Sequence, residues 1–201
     1  MTIRSALLIV TTDAEPVLDG AVGGVRAVFR QSVPDLFFME ERRVPSDRYL
    51  IEDILRRWCD EEDVDFILTI GGTFPAPGHS GEQITPEATA AVLERAMPSL
   101  PEAMRAYAVE EAPDALLDRG VAGIRARTLL INLPGPEPLA RMFAEAIADL
   151  IVPILARLQP DRLAVAPAIA DESSTFLPEK PKATGLNADE FAAFLAGRRG
   201  A

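Results

Sequence analysis

The chain has 201 residues, 48% of them apolar and 25% charged, with a formal net charge of −11 at pH 7, a composition suited to one well-buried domain with an appendage. That acidic balance excludes broad binding to nucleic acid or to anionic membranes, both of which need a basic face, so a phosphate ligand has to be small and held by local geometry and a few arginines. The single cysteine, Cys59, permits no internal disulfide, reads as a core residue and points to a cytoplasmic protein.

Residues 6–10, after Arg4, are too short an apolar run for a secretory signal. They read as a first strand, over residues 7–10, that delivers Thr12 and Asp13 into a loop. Residues 20–30 read as a helix, because Val22, Val25, Val28 and Phe29 recur three and four apart on one face, although Gly23 and Gly24 cost helix stability unless close packing needs them. Residues 36–39 form a second short strand. Residues 43–47 then lead into a helix in which Leu50, Ile51, Ile54, Leu55 and Trp58 repeat at helical spacing.

Phe66-Ile67-Leu68-Thr69-Ile70 is a short β-favouring run that stops at Gly71-Gly72-Thr73, as a buried strand ending in a tight turn does. After a loop, Thr85-Pro86-Glu87 starts a helix: the Thr85 hydroxyl caps it, Pro86 takes the first helical position, and Glu87 sits near the positive end of the helix dipole. A glycine turn that admits a ligand to the backbone, followed by helix N–H groups pointing outward, makes an anion site.

Residues 97–117 hold two proline-interrupted helical pieces, and residues 117–125 read as a glycine-punctuated turn leading to a strand over residues 128–132. Pro134-Gly135-Pro136 ends that strand, Glu137 opens a helix, and Pro153 should kink or break it. Arg141, Glu145, Asp149 and Arg157 keep that apolar segment from being a membrane span. From Pro160 onward Pro167, Pro178 and Pro181 punctuate small and polar residues, which reads as a linker; Asn187 then caps a short helix with Phe191, Phe194 and Leu195 on one face. The expected organisation is an α/β domain over residues 1–159 and an appendage over residues 160–201.

Strands alternating with helices predict a parallel sheet covered on both faces, with ligands beyond the carboxyl ends of the strands. The loops after Val10, Ile70 and Leu133 then bring Asp13, Gly71, Gly72, Thr73, Pro134 and Gly135 to one cleft. Asp13 serves there either as a ligand group or as a turn cap. The Thr73 hydroxyl either donates to a phosphate oxygen or satisfies the turn. His79 and Ser80 do not make a nucleophile elbow, which needs its serine directly after a strand and a separate histidine base. No Cys and His cluster suits structural zinc, whereas magnesium needs one or two carboxylates plus the substrate's phosphates. Asp13, Asp47 and Glu82 are the candidates, and Arg119 and Arg125 are either phosphate partners or surface ion pairs.

Four segments carry a resemblance, in this order: Leu68-Thr69-Ile70-Gly71-Gly72-Thr73, Ile84-Thr85-Pro86-Glu87-Ala88-Thr89, Gly123-Ile124-Arg125 and Leu130-Ile131-Asn132-Leu133-Pro134-Gly135. Together they resemble the molybdopterin adenylyltransferase family of molybdenum cofactor biosynthesis, whose fold also appears in the first domain of gephyrin, over residues 3–158. The resemblance implies a three-layer αβα fold with a mostly parallel sheet, a homotrimer, and transfer of AMP from Mg-ATP to the terminal phosphate of molybdopterin. It implies substrate and nucleotide binding by Asp13, Gly71, Gly72, Thr73, Thr85, Asp118, Arg119, Asn132, Pro134 and Gly135.

The chain departs from the family where two aspartates are expected: Ser46 follows Pro45, and Gln83 precedes Ile84. The neighbouring acids Asp47 and Glu82 are the expected substitutes, as catalytic groups and as magnesium ligands. Phe74 replaces a family glycine, the loop over residues 74–83 is longer than the family's, and Glu137 stands where the family has a proline, with Pro138 next. These departures leave a second expectation open, a non-catalytic molybdopterin-binding or scaffold protein.

Overall fold

The computed structural model describes residues 2–12, 18–76 and 83–162. In chain order the elements are β1 (Ile3–Thr11), α1 (Asp19–Ser32), β2 (Leu36–Pro45), α2 (Arg48–Asp60), β3 (Phe66–Ile70), α3 (Thr85–Val92), β4 (Arg95–Ala96), α4 (Ser99–Ala108), a 3-10 turn (Pro113–Leu117), β5 (Ala122–Arg125), β6 (Thr128–Leu133) and α5 (Glu137–Leu158). All lie in one compact unit, Met1–Ala164.

The strands form a six-stranded sheet in the order β2-β1-β3-β6-β5-β4. β1 pairs in parallel with β2 and β3, and β3 with β6. The three most apolar runs become the three central strands because only there are both faces of a strand covered; every side chain of β3 and β6 is buried. One face carries α1, α4 and α5 over a core that includes Val25, Phe29, Phe66, Met104, Phe143 and Ile147. The other carries α2 and α3 over Ile51, Leu55, Trp58, Ile67 and Val92. The result is three layers. Phe29 and Phe66 meet edge to face with ring centroids 5.7 Å apart, a geometry that adds about 1 kcal/mol to their burial.

Cys59 is buried as expected, and burial pushes its thiol up to about 12, so it stays protonated and inert. Gly20 and Gly24 face Glu137 and Arg141 of α5, so they serve close helix packing, while Gly23 faces nothing.

The structure corrects three readings. β2 runs on through Glu40-Glu41-Arg42-Arg43 to Pro45, because an edge strand needs its ladder on one side only and tolerates charge on the open side. Residues 122–125 are strand β5, not turn: β5 pairs antiparallel with β6, and β4 with β5. Pro153 does not break α5. It removes one backbone donor, but both Pro153 and Asp149, whose carbonyl loses that partner, are exposed, so that carbonyl is open to solvent and the loss costs little.

From β1 the chain passes through α1 to β2 on one side, then returns through α2 to β3 on the other. The direction of winding reverses between β1 and β3, and such a switch point leaves a crevice at the carboxyl ends of the strands.

Candidate functional site

The crevice is built on the turn after β3. Gly71 and Gly72 have φ of 95° and 71°, left-handed values that side chains rarely adopt. The Gly71 N–H donates to the Leu133 carbonyl at 3.0 Å, so the turn is tied to the end of β6 and to Pro134-Gly135 beyond it. Thr85 holds the turn from the other side. Its hydroxyl donates to the Gly71 carbonyl at 2.9 Å, and its N–H to the Gly72 carbonyl at 3.2 Å.

This overturns the capping role expected of Thr85. The N-cap of α3 is Ile84, with no side-chain cap, because the Thr85 hydroxyl is already committed to the turn. It also reduces the donors α3 presents. Thr85 N–H is used, Pro86 has none, and Ala88 N–H donates to Ile84. Among the described residues around the turn, the donors that face the crevice are Thr73 N–H, Glu87 N–H and the guanidinium of Arg119, while the Thr73 hydroxyl is buried beside Asp118.

Residues 118–120 straddle the turn. The Arg119 N–H donates to the Thr73 carbonyl at 3.0 Å. The guanidinium reaches over the start of α3, donating to the Gln83 carbonyl at 2.5 Å and pairing with Glu87. Asp118 points the other way, into the protein, with a side chain that is 0% exposed. One carboxyl oxygen accepts from Gly120 N–H at 3.0 Å and lies 3.7 Å from Arg105; the buried Thr73 hydroxyl lies beside the carboxyl group without a well-aligned hydrogen bond to it. Burial pushes the Asp118 carboxyl above its ordinary value of 3.8, against the smaller opposing effects of the Thr73 hydroxyl, Gly120 N–H, Arg105 and Arg119.

A raised folded value means that the folded state holds its proton more tightly than the unfolded chain. Asp118 therefore lowers stability progressively as pH rises from 3.8 to its folded value, and no further above it. Asp118→Asn keeps an acceptor for Gly120 and removes the titration. We expect denaturant unfolding to show the variant gaining on the native protein across that window, and a pH-independent difference would refute the assignment.

Ser46 and Gln83, the neutral residues at the expected acid positions, meet at the lip of this crevice. Ser46 N–H donates to the last carbonyl of β1 at 3.1 Å, and the Ser46 hydroxyl accepts from Ile84 N–H at the long distance of 3.5 Å. Gln83 is buried, with φ of 57°. Its amide accepts from Phe74 N–H at 3.1 Å and donates to the Thr12 hydroxyl at 3.3 Å.

Asp47 is exposed and caps α2, accepting from Leu50 N–H at 2.9 Å. Asp13, Glu82, His79, Ser80 and residues 163–201 lie outside the described residues. Asn132 is fully buried: its amide donates to the hydroxyls of Thr69 and Thr89 at 2.8 and 2.9 Å, and its oxygen accepts from Val121 N–H at 3.1 Å. Arg125 pairs with Asp60 at the end of β5 opposite Thr128. β6 separates that end from Leu133 by roughly 17 Å at 3.3 Å per residue, so Arg125 is a surface ion-pair residue and not a phosphate partner here.

Glu87, read from the sequence only as a helix-dipole residue, proves to be the partner of Arg119, and no local pattern signals a pair 32 residues apart. Among the described residues no group of three or more His, Cys, Asp or Glu side chains is placed to hold a metal. A mostly apolar cavity of about 420 Å³ lies beyond residues 118–120, walled by Ala90, Leu93, Pro101, Arg105 and Val121, and none of the turn residues lines it.

Residues 39–157 match the family model described as a probable molybdopterin binding domain. The chain is 35% identical over 131 residues to the molybdopterin adenylyltransferase of Haemophilus influenzae, covering 65% of this chain and 64% of that protein. It is 42% identical over 104 residues to that of Helicobacter pylori, covering 52% and 57%. The chain thus spans about three fifths of the length of the curated relatives it matches. Among solved structures it is similar to the molybdopterin biosynthesis enzyme MoaB from Thermus thermophilus, with a TM-score of 0.65, 34% identity, and coverage of 79% of this chain and 98% of that one.

Proposed function

Because the chain belongs to the family of probable molybdopterin binding domains, we propose that it binds molybdopterin at the crevice between β1 and β3 and transfers AMP to it from Mg-ATP, as a step of molybdenum cofactor biosynthesis. The observation that carries this reading is the turn Gly71-Gly72-Thr73, clamped by Thr85 at the topological switch point with Arg119 across it. Relatives 35% and 42% identical to this chain are named molybdopterin adenylyltransferase.

In adenylyl transfer an oxygen of the acceptor's terminal phosphate attacks the α-phosphorus of ATP, the bond to the β-phosphate breaks, and pyrophosphate leaves with the bonding electrons. The nucleophile is already ionised at neutral pH, so the protein contributes positioning and charge neutralisation. We assign Gly72 to close backbone approach, Thr73 to hydrogen bonding of a phosphate oxygen, and Arg119 to neutralising it. Pro134 and Gly135 wall the crevice from β6.

Magnesium entering with ATP would neutralise phosphate charge. A metal carried by phosphates asks little of the protein, which suits a donor set in which Asp47 keeps one carboxylate oxygen outside its cap bond; Asp47 and Glu82 are the carboxylates we assign to it. A cytoplasmic homotrimer belongs to the same reading, supported by the family resemblance and, for the compartment, by the lone cysteine. No helix among the described residues is long and apolar enough to cross a membrane.

The test is pyrophosphate release from molybdopterin and Mg-ATP. Ser46 and Gln83 bring no charge to the lip and commit their polar atoms to Ile84, Phe74 and Thr12. We therefore expect native turnover to be slow, and Ser46→Asp with Gln83→Asp to raise it with little change in ligand affinity, because the gain belongs to the transition state. A brisk native rate lowered by Asp47→Asn and Glu82→Gln would instead assign the acid role to those residues. Ligand binding with no release in any variant would leave a non-catalytic molybdopterin-binding protein.

A further inference from the structure

The cation assigned to the ligand phosphate is already engaged. Arg119 donates to Glu87 and to the Gln83 carbonyl, and the second carboxylate oxygen of Glu87 is buried without a hydrogen bond. Glu87 lies in the first turn of α3, so its negative charge occupies the place where a helix N-terminus would attract an anion. The Thr73 carbonyl, in the turn itself, accepts from Arg119 N–H and so orients Arg119.

The Arg119 and Glu87 side chains are 37% and 41% exposed, and ion pairs so accessible to water contribute little to stability, on the order of 0 to 1 kcal/mol. The pair is therefore weak enough to open. Yet Glu87 is tethered: held on α3 within reach of Arg119, it competes for the guanidinium at an effective concentration on the order of millimolar or more. A monoanion replacing it exchanges one negative charge for another and gains nothing. A dianion brings a second charge and further acceptor oxygens for Arg119, Thr73 and Glu87 N–H, so it gains.

We propose that Glu87 is a specificity-determining residue, a built-in competitor that sets a charge threshold at the crevice. Phosphate monoesters and terminal phosphates, which are dianionic at neutral pH and above, displace it from Arg119; phosphodiesters and other monoanions do not. The proposal rests on the reading of the crevice as a phosphate site. It adds that the site selects a free phosphate end over a phosphate substituted on two oxygens, and adenylylation turns the acceptor's free end into such a phosphate, an anhydride phosphate with a single charge.

Methyl phosphate and dimethyl phosphate separate the two charge states at pH 8 without a ring system to complicate contact. NMR titration of the full-length protein should show methyl phosphate binding about tenfold more tightly than dimethyl phosphate, a difference of about 1.4 kcal/mol. Glu87→Gln, which keeps the shape and lifts the competition, should tighten dimethyl phosphate about fivefold and narrow the ratio, while Arg119→Gln weakens both ligands. Thermal melts of each variant confirm that the fold survives the change. An unchanged ratio in Glu87→Gln would overturn the threshold while leaving the phosphate site standing. If neither probe binds the native protein or Glu87→Gln at tens of millimolar, as order-of-magnitude concentrations, the phosphate reading and the threshold fall together.

Discussion

Asn132→Leu should destabilise the protein by about 3–5 kcal/mol, through the orphaning of buried polar groups. Asn132 is fully buried and directs both amide hydrogens to the hydroxyls of Thr69 and Thr89, while its oxygen accepts from Val121 N–H. Leucine matches its volume but supplies none of these bonds, so two buried hydroxyls and the N–H at the start of β5 lose their partners. Each loss costs about 1–3 kcal/mol. The N–H has a further consequence, because its bond helps hold residues 118–120 against the turn, and with them Arg119. Urea unfolding should show a lower midpoint with an unchanged slope. A variant within about 1 kcal/mol of the native protein that has lost ligand affinity would reverse this assignment and make Asn132 a ligand group.

Gly72→Ala should cost about 2–4 kcal/mol and weaken phosphate binding by at least about tenfold. At φ of 71° any L side chain carries a conformational penalty of about 1 kcal/mol. The methyl group would also stand 2.3 Å from the Thr85 hydroxyl oxygen, which has to move and so loses its bond to the Gly71 carbonyl, worth about another 1 kcal/mol. The two effects are separable. Thr85→Ala removes the oxygen, after which the nearest neighbours of the new methyl, the residue 85 Cβ and Val10 Cγ1 at 3.4 Å, are at ordinary contact. The double variant should therefore be more stable than the sum of the single losses predicts, a coupling that a double-mutant cycle measures directly. Strictly additive losses would show that the clash is not the cause.

These two positions differ in how legible they are from sequence. Paired glycines after an apolar run announce a turn wherever they occur, because no other residue adopts left-handed backbone without cost. Asn132 is one asparagine at the end of an apolar strand, and nothing local tells a ligand-binding amide from a structural one. The distinction lies in its partners, 63 and 43 residues away.

The sequence by itself determined the central strands, the amphipathic helices and the turn after β3, since each rests on a period or a backbone preference carried by neighbouring residues. The order of the strands, the extension of β2 along a charged edge and the strand character of β5 came only with the sheet, because a strand exists by virtue of the ladder it joins. Tertiary structure also decided which partners the polar groups of the crevice take. The Thr85 hydroxyl goes to Gly71 instead of capping its own helix, and Gln83 bridges to Thr12 from 71 residues away. Arg119 finds Glu87, and Arg125 is carried to the far end of β6. A side chain's type specifies what it can donate or accept; which partner it meets is settled by the packing that brings distant segments within about 3 Å, and that distance is not encoded in any local pattern.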